Sequence, residues 1–168
     1  PHRAAAPRMI TLTKHHGLGN DFLVCDISQV GADAPWAALA VQWCDRRRGI
    51  GADGLLLLGI TSATELTMVL HNADGSRAEM SGNGIRCLAQ AAYIAQGHTG
   101  SVDYAVHSDA GLRAVSVRSV DSVTVQASVS MGAVVRLDQP TGWAAIGADP
   151  VRPVMHLSVG NPHTVVGV

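Results

Sequence analysis

The sequence predicts an α/β chain of the α+β type, a mostly antiparallel sheet curled around one buried helix with a second helix outside. Three observations predict it. From Gly84 to about Gln96, the residues Ile85, Leu88, Ala89, Ala91, Ala92, Ile94 and Ala95 cover most of the helical circumference and leave a narrow polar stripe of Arg86, Gln90 and Tyr93. A helix apolar nearly all round is expected to be covered on most sides. The sequence after position 110 alternates with period two, the pattern of strands with one covered face. The apolar run LLLLGI, from Leu55 to Ile60, is too short for a helix and follows a glycine-rich stretch, which reads as a buried strand.

The other elements follow in chain order. Met9 to Leu12 reads as a short strand, HHGLGND as a turn and FLVCDI as a second strand. Asp33-Ala34-Pro35 is a helix start, with proline at an early helical position. Trp36, Leu39, Ala40 and Trp43 carry helical spacing to about Cys44, where RRRGIGADG breaks it. Glu65 to His71 reads as a strand, and Gly97 occupies the place of a C′ glycine after the central helix. Leu112, Ala114 and Val117 lead to a turn at Asp121-Ser122, and Val123, Val125, Ala127 and Val129 share one face of the returning strand. Met155–Val159 and Thr164–Val168 read as strands around the turn GNPH. Residues 1–8 read as an N-terminal extension or expression remnant, because Met9 makes a sensible start. Residues 9–168 read as one domain of a longer protein, because the chain stops inside a strand pattern.

Bulk properties narrow the function. The chain of 168 residues is 47% hydrophobic and 15% charged, with a formal net charge of -1, which argues against disorder and gives no electrostatic case for nucleic acid or an acidic membrane. No run approaches the ~20 apolar residues that span a bilayer, and PHRAAAPR has no apolar leader core. Cys25, Cys44 and Cys87 are odd in number and form no CxxC, which fits a reducing compartment rather than a disulfide frame or zinc site. A cytoplasmic protein is expected. The run Arg46-Arg47-Arg48 is read as pairing locally or solvating a helix end.

Gly49 to Gly54 matches G-x-G-x-x-G, but its glycines follow a helix and precede a strand, the reverse of a dinucleotide fingerprint, so they are assigned to turns. The histidines at 15, 16, 71, 156 and 163 have no ligand-set spacing and are read as turn or surface residues, except His163, which a turn between strands displays beside Asn161. The richest stretch is Ser81-Gly82-Asn83-Gly84. Ser81 is placed to cap the central helix by accepting from the N–H of Asn83 or Gly84. Two glycines in the first turn each cost up to ~1 kcal/mol of helix propensity. Bare backbone N–H groups at a helix start would suit a carboxylate.

The pieces HGLGNDF (His16–Phe22), DRRRGIGADG (Asp45–Gly54), NADGS (Asn72–Ser76), SGNGIRC (Ser81–Cys87) and GNPH (Gly160–His163) together resemble the N-terminal half of diaminopimelate epimerase, in the family's order and approximate spacing. The resemblance covers nearly all of Met9–Val168. It implies a fold of two similar halves, each a sheet wrapped around a central helix. It implies inversion of LL-diaminopimelate to the meso form, without pyridoxal phosphate, other cofactor or metal, by a thiolate and a thiol on opposite faces of one α-carbon. The implied setting is lysine and cell-wall precursor synthesis, and the implied partners are the C-terminal half of the same protein and a second copy in a homodimer. Carried over, Asn20, Asn72 and Asn161 resemble the substrate-binding asparagines, Gly82 and Asn83 the backbone pair that holds the α-carboxylate, and His163 the histidine that tunes the thiols. Glycine stands at position 54, where the family often has glutamine.

One departure matters most. Position 81, where the family has its first catalytic cysteine, is serine. A free thiol has a pKa of ~8.5 and falls further at a helix N-terminus, whereas a hydroxyl holds its proton near neutral pH. Ser81 thus keeps the shape and the cap and loses most of the chemistry. Cys87 lies about 9 Å along the axis and about 120° round the helix from it, and is read as a buried small hydrophobe. The second thiol is expected beyond Val168. An engineered serine, a natural loss of activity and a hydroxyl working in an unusual site all remain open, and a silent amino-acid-binding or interaction domain is the alternative to an epimerase.

Overall fold

The computed structural model describes residues 9–167. These fall into two units, one ending at Val129 and one beginning at Ser130. Residues 1–8 and the last position of the strand expected at Thr164–Val168 lie outside the described residues.

The first unit holds strands β1 (Leu12–Gly17), β2 (Asn20–Asp26), β3 (Gly54–Ile60), β4 (Glu65–Asn72), β5 (Arg77–Ala78), β6 (Ser101–Ser108), β7 (Gly111–Ser119) and β8 (Val125–Val129). Helix α1 (Trp36–Cys44) lies between β2 and β3, and α2 (Gly82–Ala95) between β5 and β6. One sheet runs β1-β2-β3-β4-β6-β7-β8, with β5 also beside β4. Its neighbours pair antiparallel except β2 with β3 and β4 with β6. Helix α2 touches β1, β2, β3, β4, β6, β7 and β8, so the sheet curls around it as a half-barrel. This is the architecture the sequence predicts. The curl is what the composition of α2 demands, since Ile85, Leu88, Ala89 and Ala92 are all fully buried and their shared burial supplies much of the driving force.

The other face of the sheet carries α1. Trp36, Ala40 and Cys44 sit at helical spacing and pack with Leu23, Cys25, Leu55 and Leu57. Because successive strand residues point to opposite faces, the run LLLL feeds both layers. Leu55 and Leu57 join the α1 cluster, while Leu56 reaches to within 3.5 Å of where a side chain on Gly84 of α2 would begin. Proline caps α1 at position 35 rather than entering its first turn. The loop after α1 returns the N–H groups of Ile50 and Gly51 to Trp43 O, and that of Ala52 to Cys44 O. That use of the G-x-G-x-x-G glycines is structural: a side chain at Gly49 would run into the backbone oxygen of Gln42, and Gly51 has φ +84°.

Four expectations are corrected. The segment HHG continues β1 instead of turning, and Met9–Ile10 precedes the strand. The turn is only Leu18-Gly19, both at positive φ (57° and 89°), the two-residue hairpin turn whose twist matches its strands. Tyr93 leaves the polar stripe of α2. It is buried and donates to Gly100 O at 2.8 Å, while Ile94 lies 53% exposed in its place. In β7 the covered residues are Val115 and Val117, with Leu112 and Ala114 on the open face. The second GNPH strand starts earlier, at Pro162. As expected, Gly97 closes α2 at φ +68°, with His98 N donating to Tyr93 O and Gly97 N to Ile94 O, a Schellman pair of bonds.

The second unit is a three-stranded sheet, β9 (Val135–Arg136), β10 (Val154–Ser158) and β11 (Pro162–Val166), in the order β11-β10-β9. Its strands pair antiparallel, and Val159, Gly160 and Asn161 make the turn between β10 and β11. A 3-10 turn at Trp143–Ile146 precedes β10, and Trp143 meets His156 edge-on at 4.9 Å between ring centres.

Candidate active site

Adjacent strand ends assemble the site in the first unit. Phe22 of β2 pairs with Gly54 of β3, and Gly54 pairs with Asn72 of β4. The start of β2, the start of β3 and the end of β4 therefore lie side by side. Gly17, at the end of β1, stands against the first turn of α2, 3.4 Å from Asn83 Cβ by the position a side chain there would take.

Ser81 has extended backbone (φ -140°, ψ 120°) and its Oγ accepts from Gly84 N at 3.0 Å, so the expected cap is formed. Of the two glycines of the first turn, Gly84 has a packing cause. A side chain on Gly84 would come 3.0 Å from Ser81 Cβ and 3.5 Å from Leu56 Cδ2, so this glycine lets the capping serine and the β3 leucine close on the helix. The N–H groups of Gly82 and Asn83 precede the first intrahelical donor, and no group among the described residues accepts from them. They are two free donors at the positive end of a helix of 14 residues.

The side chains of Asn20 and Asn83 meet beside them, Asn83 Nδ2 donating to Asn20 Oδ1 at 3.4 Å. Asn20 Nδ2 in turn donates to Asp53 Oδ2 at 2.8 Å. Asn83 Oδ1 accepts from a terminal nitrogen of Arg86, whose Nε donates to Gly82 O at 3.1 Å. Asn72 donates through Nδ2 to Ser76 Oγ at 3.0 Å, and its backbone N–H to Ser76 O at 2.8 Å. Glycine at 54 has a local cause: a side chain there would start 2.8 Å from His71 O and 3.3 Å from a ring carbon of Phe22.

Of the residues expected from the sequence, the structure brings Asn20, Ser81, Gly82 and Asn83 to the head of α2, with Asn72 two strands away. Asn161 and His163 belong to the second unit, where His163 Nε2 lies 2.8 Å from Asn161 Oδ1. His163 is exposed on β11 and pairs with Leu157. Of the other histidines singled out from the sequence, His15 and His16 lie on β1, His71 on β4 and His156 on β10, in strands rather than turns, and His16 is a surface residue as expected. His15, for example, is partly buried beside Gln90, and burial holds its pKa below the ordinary value.

The sequence reading did not foresee a charged cluster behind Asn20. Asp21 accepts from Arg46 at 2.6 and 3.1 Å and lies 3.0 Å from Lys14 Nζ. Arg46 also holds Asp53 at 2.8 Å, and Lys14 donates to Gly51 O at 2.6 Å. The available signal was HGLGNDF followed by DRRRGIGAD, two acidic residues and an arginine in the two motifs nearest Asn20. The bonds from Arg46, then those from Lys14, hold the Asp21 carboxyl well below the ordinary carboxylate range. A carboxylate depressed on folding contributes stability that is present above its unfolded pKa, ~3.9, and is lost as pH falls towards the folded value. Urea unfolding midpoints should therefore drop less between pH 5 and pH 3 in Asp21→Asn than in the parent. Asp74, Asp109 and Asp121 are also depressed and contribute to the slope that remains.

Cys87 is buried, and loss of solvation pushes its thiol up to about 11. Cys25 and Cys44 are raised by the same cause to about 11. None of the three is placed as an acid or base near neutral pH.

Solved structures share this fold. A predicted epimerase from Pseudomonas aeruginosa superposes with a TM-score of 0.71 at 14% identity, over 88% of this chain and 53% of that one. A hydroxyproline epimerase from Agrobacterium vitis, solved with trans-4-hydroxy-L-proline, gives 0.65 at 14% identity over 95% and 51%. At such identities the likeness speaks for architecture, and the class is that of the epimerase-like α+β half-barrels. Sequence then sets the family. The diaminopimelate epimerase family profile matches residues 12–137, and the chain belongs to that family. Diaminopimelate epimerase of a Cyanothece species is 39% identical over 95% of this chain and 61% of its own length. That of Methanocella arvoryzae is 39% identical over 95% and 58%. The chain thus spans about three fifths of the length of these curated relatives.

Proposed function

We propose that this chain is the N-terminal part of an amino-acid epimerase that interconverts LL- and meso-diaminopimelate without a cofactor, altered at its first proton-transfer position by Ser81. The observation that carries the reading is the pair of free backbone N–H groups on Gly82 and Asn83 at the head of α2, one and two residues from position 81. An α-carboxylate bound there places its α-carbon next to residue 81. When the α C–H bond breaks, its electron pair delocalises onto that carboxylate, and fixed donors aimed at the growing charge lower the barrier. Asn20 and Asn72 offer both donors and acceptors to a zwitterionic amino acid. In this reading the C-terminal half brings the second thiol, Asn161 binds substrate, His163 tunes the thiols, and the whole protein works as a cytoplasmic homodimer in lysine and peptidoglycan precursor synthesis.

Ser81 favours a second reading, in which the same site binds a diaminopimelate-like amino acid and does not turn it over. Both readings require binding. Titration calorimetry of meso-diaminopimelate into the full-length gene product should show saturable binding, weakened about tenfold by Asn72→Ala, the scale of one hydrogen bond to a charged group. No binding to the parent protein would remove both readings.

A further inference from the structure

The two asparagines at the head of α2 can each present either end of a carboxamide, and their neighbours decide which. Asp53 carries only acceptors and accepts from Asn20 Nδ2 at 2.8 Å. The same oxygen accepts from Asp21 N at 3.0 Å, and Arg46 holds the other carboxylate oxygen. Arg86 carries only donors, and meets Asn83 through its Oδ1. A carboxylate cannot donate and a guanidinium cannot accept. Asp53 thus turns Asn20 Oδ1 away from itself, and Arg86 turns Asn83 Nδ2 away from itself. These are the two atoms that face one another at 3.4 Å.

We infer that Asp53 and Arg86 are positioning residues that clamp the carboxamides of Asn20 and Asn83 in opposite senses, presenting one acceptor and one donor beside the free N–H groups of Gly82 and Asn83. The chain of bonds runs Arg46, Asp53, Asn20, Asn83, Arg86 and back to Gly82 O. The links at Asp53 are short, 2.8 Å from Arg46 and 2.8 Å from Asn20. The asparagine pair is the long one, beyond the usual span of such bonds, so a ligand competes there against the weakest contact. The presented pair fits an amino acid: Asn20 Oδ1 accepts from an ammonium, and Asn83 Nδ2 donates to a carboxylate. Arg86 acts a second time by holding Gly82 O, the carbonyl of the peptide group that carries the Asn83 N–H.

The clamp is testable in the ligand-free chain. Asn20 Nδ2 and Asp21 N donate to one oxygen, so their protons should give a strong nuclear Overhauser effect in the 15N-labelled protein. Asp53→Asn, which offers a donor as well as an acceptor, should weaken that effect and split the Asn20 side-chain amide into two sets. Arg86→Gln should split the Asn83 amide, while Arg86→Lys, still only a donor, should keep one set. A single unchanged Asn20 orientation in Asp53→Asn overturns the clamp, as does equal disorder in Arg86→Lys and Arg86→Gln. The consequence for ligand rests on the function proposed above. In the full-length protein, meso-diaminopimelate should bind about tenfold more weakly in Arg86→Gln, with recovery in Arg86→Lys. Loss of binding in the parent would sink that function and leave the amide test standing, whereas equal binding in Arg86→Gln and the parent would overturn the clamp's role at the site.

Discussion

In the full-length gene product, Ser81→Cys should raise the rate of conversion of LL- to meso-diaminopimelate by about a thousandfold, the scale on which a well-matched acid–base group contributes. The reason lies in the cap. Ser81 Oγ accepts from Gly84 N and points into the turn whose free donors are Gly82 and Asn83 N–H. A thiolate at the same atom would sit in the same field, at the positive end of α2, which lowers a thiol pKa from ~8.5 towards neutrality. The hydroxyl receives the same help and starts too far from neutrality for it to matter. The substitution adds little bulk where the serine side chain is only partly buried, so its effect should fall on turnover rather than on substrate affinity. A kcat that rises with KM nearly constant would fit a group acting on the α-proton alone.

The second large effect concerns the helix that carries the site. Leu88 is fully buried in α2, inside the curl of the sheet. Leu88→Ala should cost about 2–5 kcal/mol, transfer energy plus the cavity left in a core that relaxes only in part. Ile94→Ala on the same helix should cost far less, because Ile94 is 53% exposed. Urea unfolding of the two variants measures the contrast. Equal losses would mean that the sheet does not close over Leu88 as described.

Of the three observations behind the predicted architecture, the central helix was the most legible, because it is apolar on nearly every side. The cap at Ser81 and the C′ glycine at 97 were equally legible, since both follow from local backbone chemistry. The strand phases were not. In β7 both sets, Leu112 with Ala114 and Val115 with Val117, are apolar enough to face a core, and only pairing with β6 and β8 decides. Strand β6, SVDYAVHS, escaped individual notice because Asp103 and His107 interrupt it on the open face while Tyr104 and Val106 fill the core. The β1–β2 hairpin was misplaced because polar His15 and His16 resemble a turn, although Leu18 and Gly19 alone make it. Tyr93 reads as polar until its hydroxyl finds both the N–H and the carbonyl of Gly100.

At the site, motifs named the asparagines but not their orientation. Asn20 and Asn83 are far apart in sequence, and the charges that set their carboxamides come from Asp53 and Arg86. The Asp21–Arg46–Asp53 cluster needs the α1 exit loop to fold back on the start of β2, as the bond from Asp53 N to Asp21 O shows. No periodicity encodes that return. Family resemblance supplied what spacing did not, namely that position 81 is where a thiol is expected.

The most direct test of the central claim is α-proton exchange of LL-diaminopimelate in deuterated water, catalysed by the full-length protein with Ser81 kept and with Ser81→Cys. Deuterium should enter the α-position rapidly with the cysteine form and hardly at all with the serine form. Rapid exchange with the serine form would contradict the account, because it would make the hydroxyl a working acid or base.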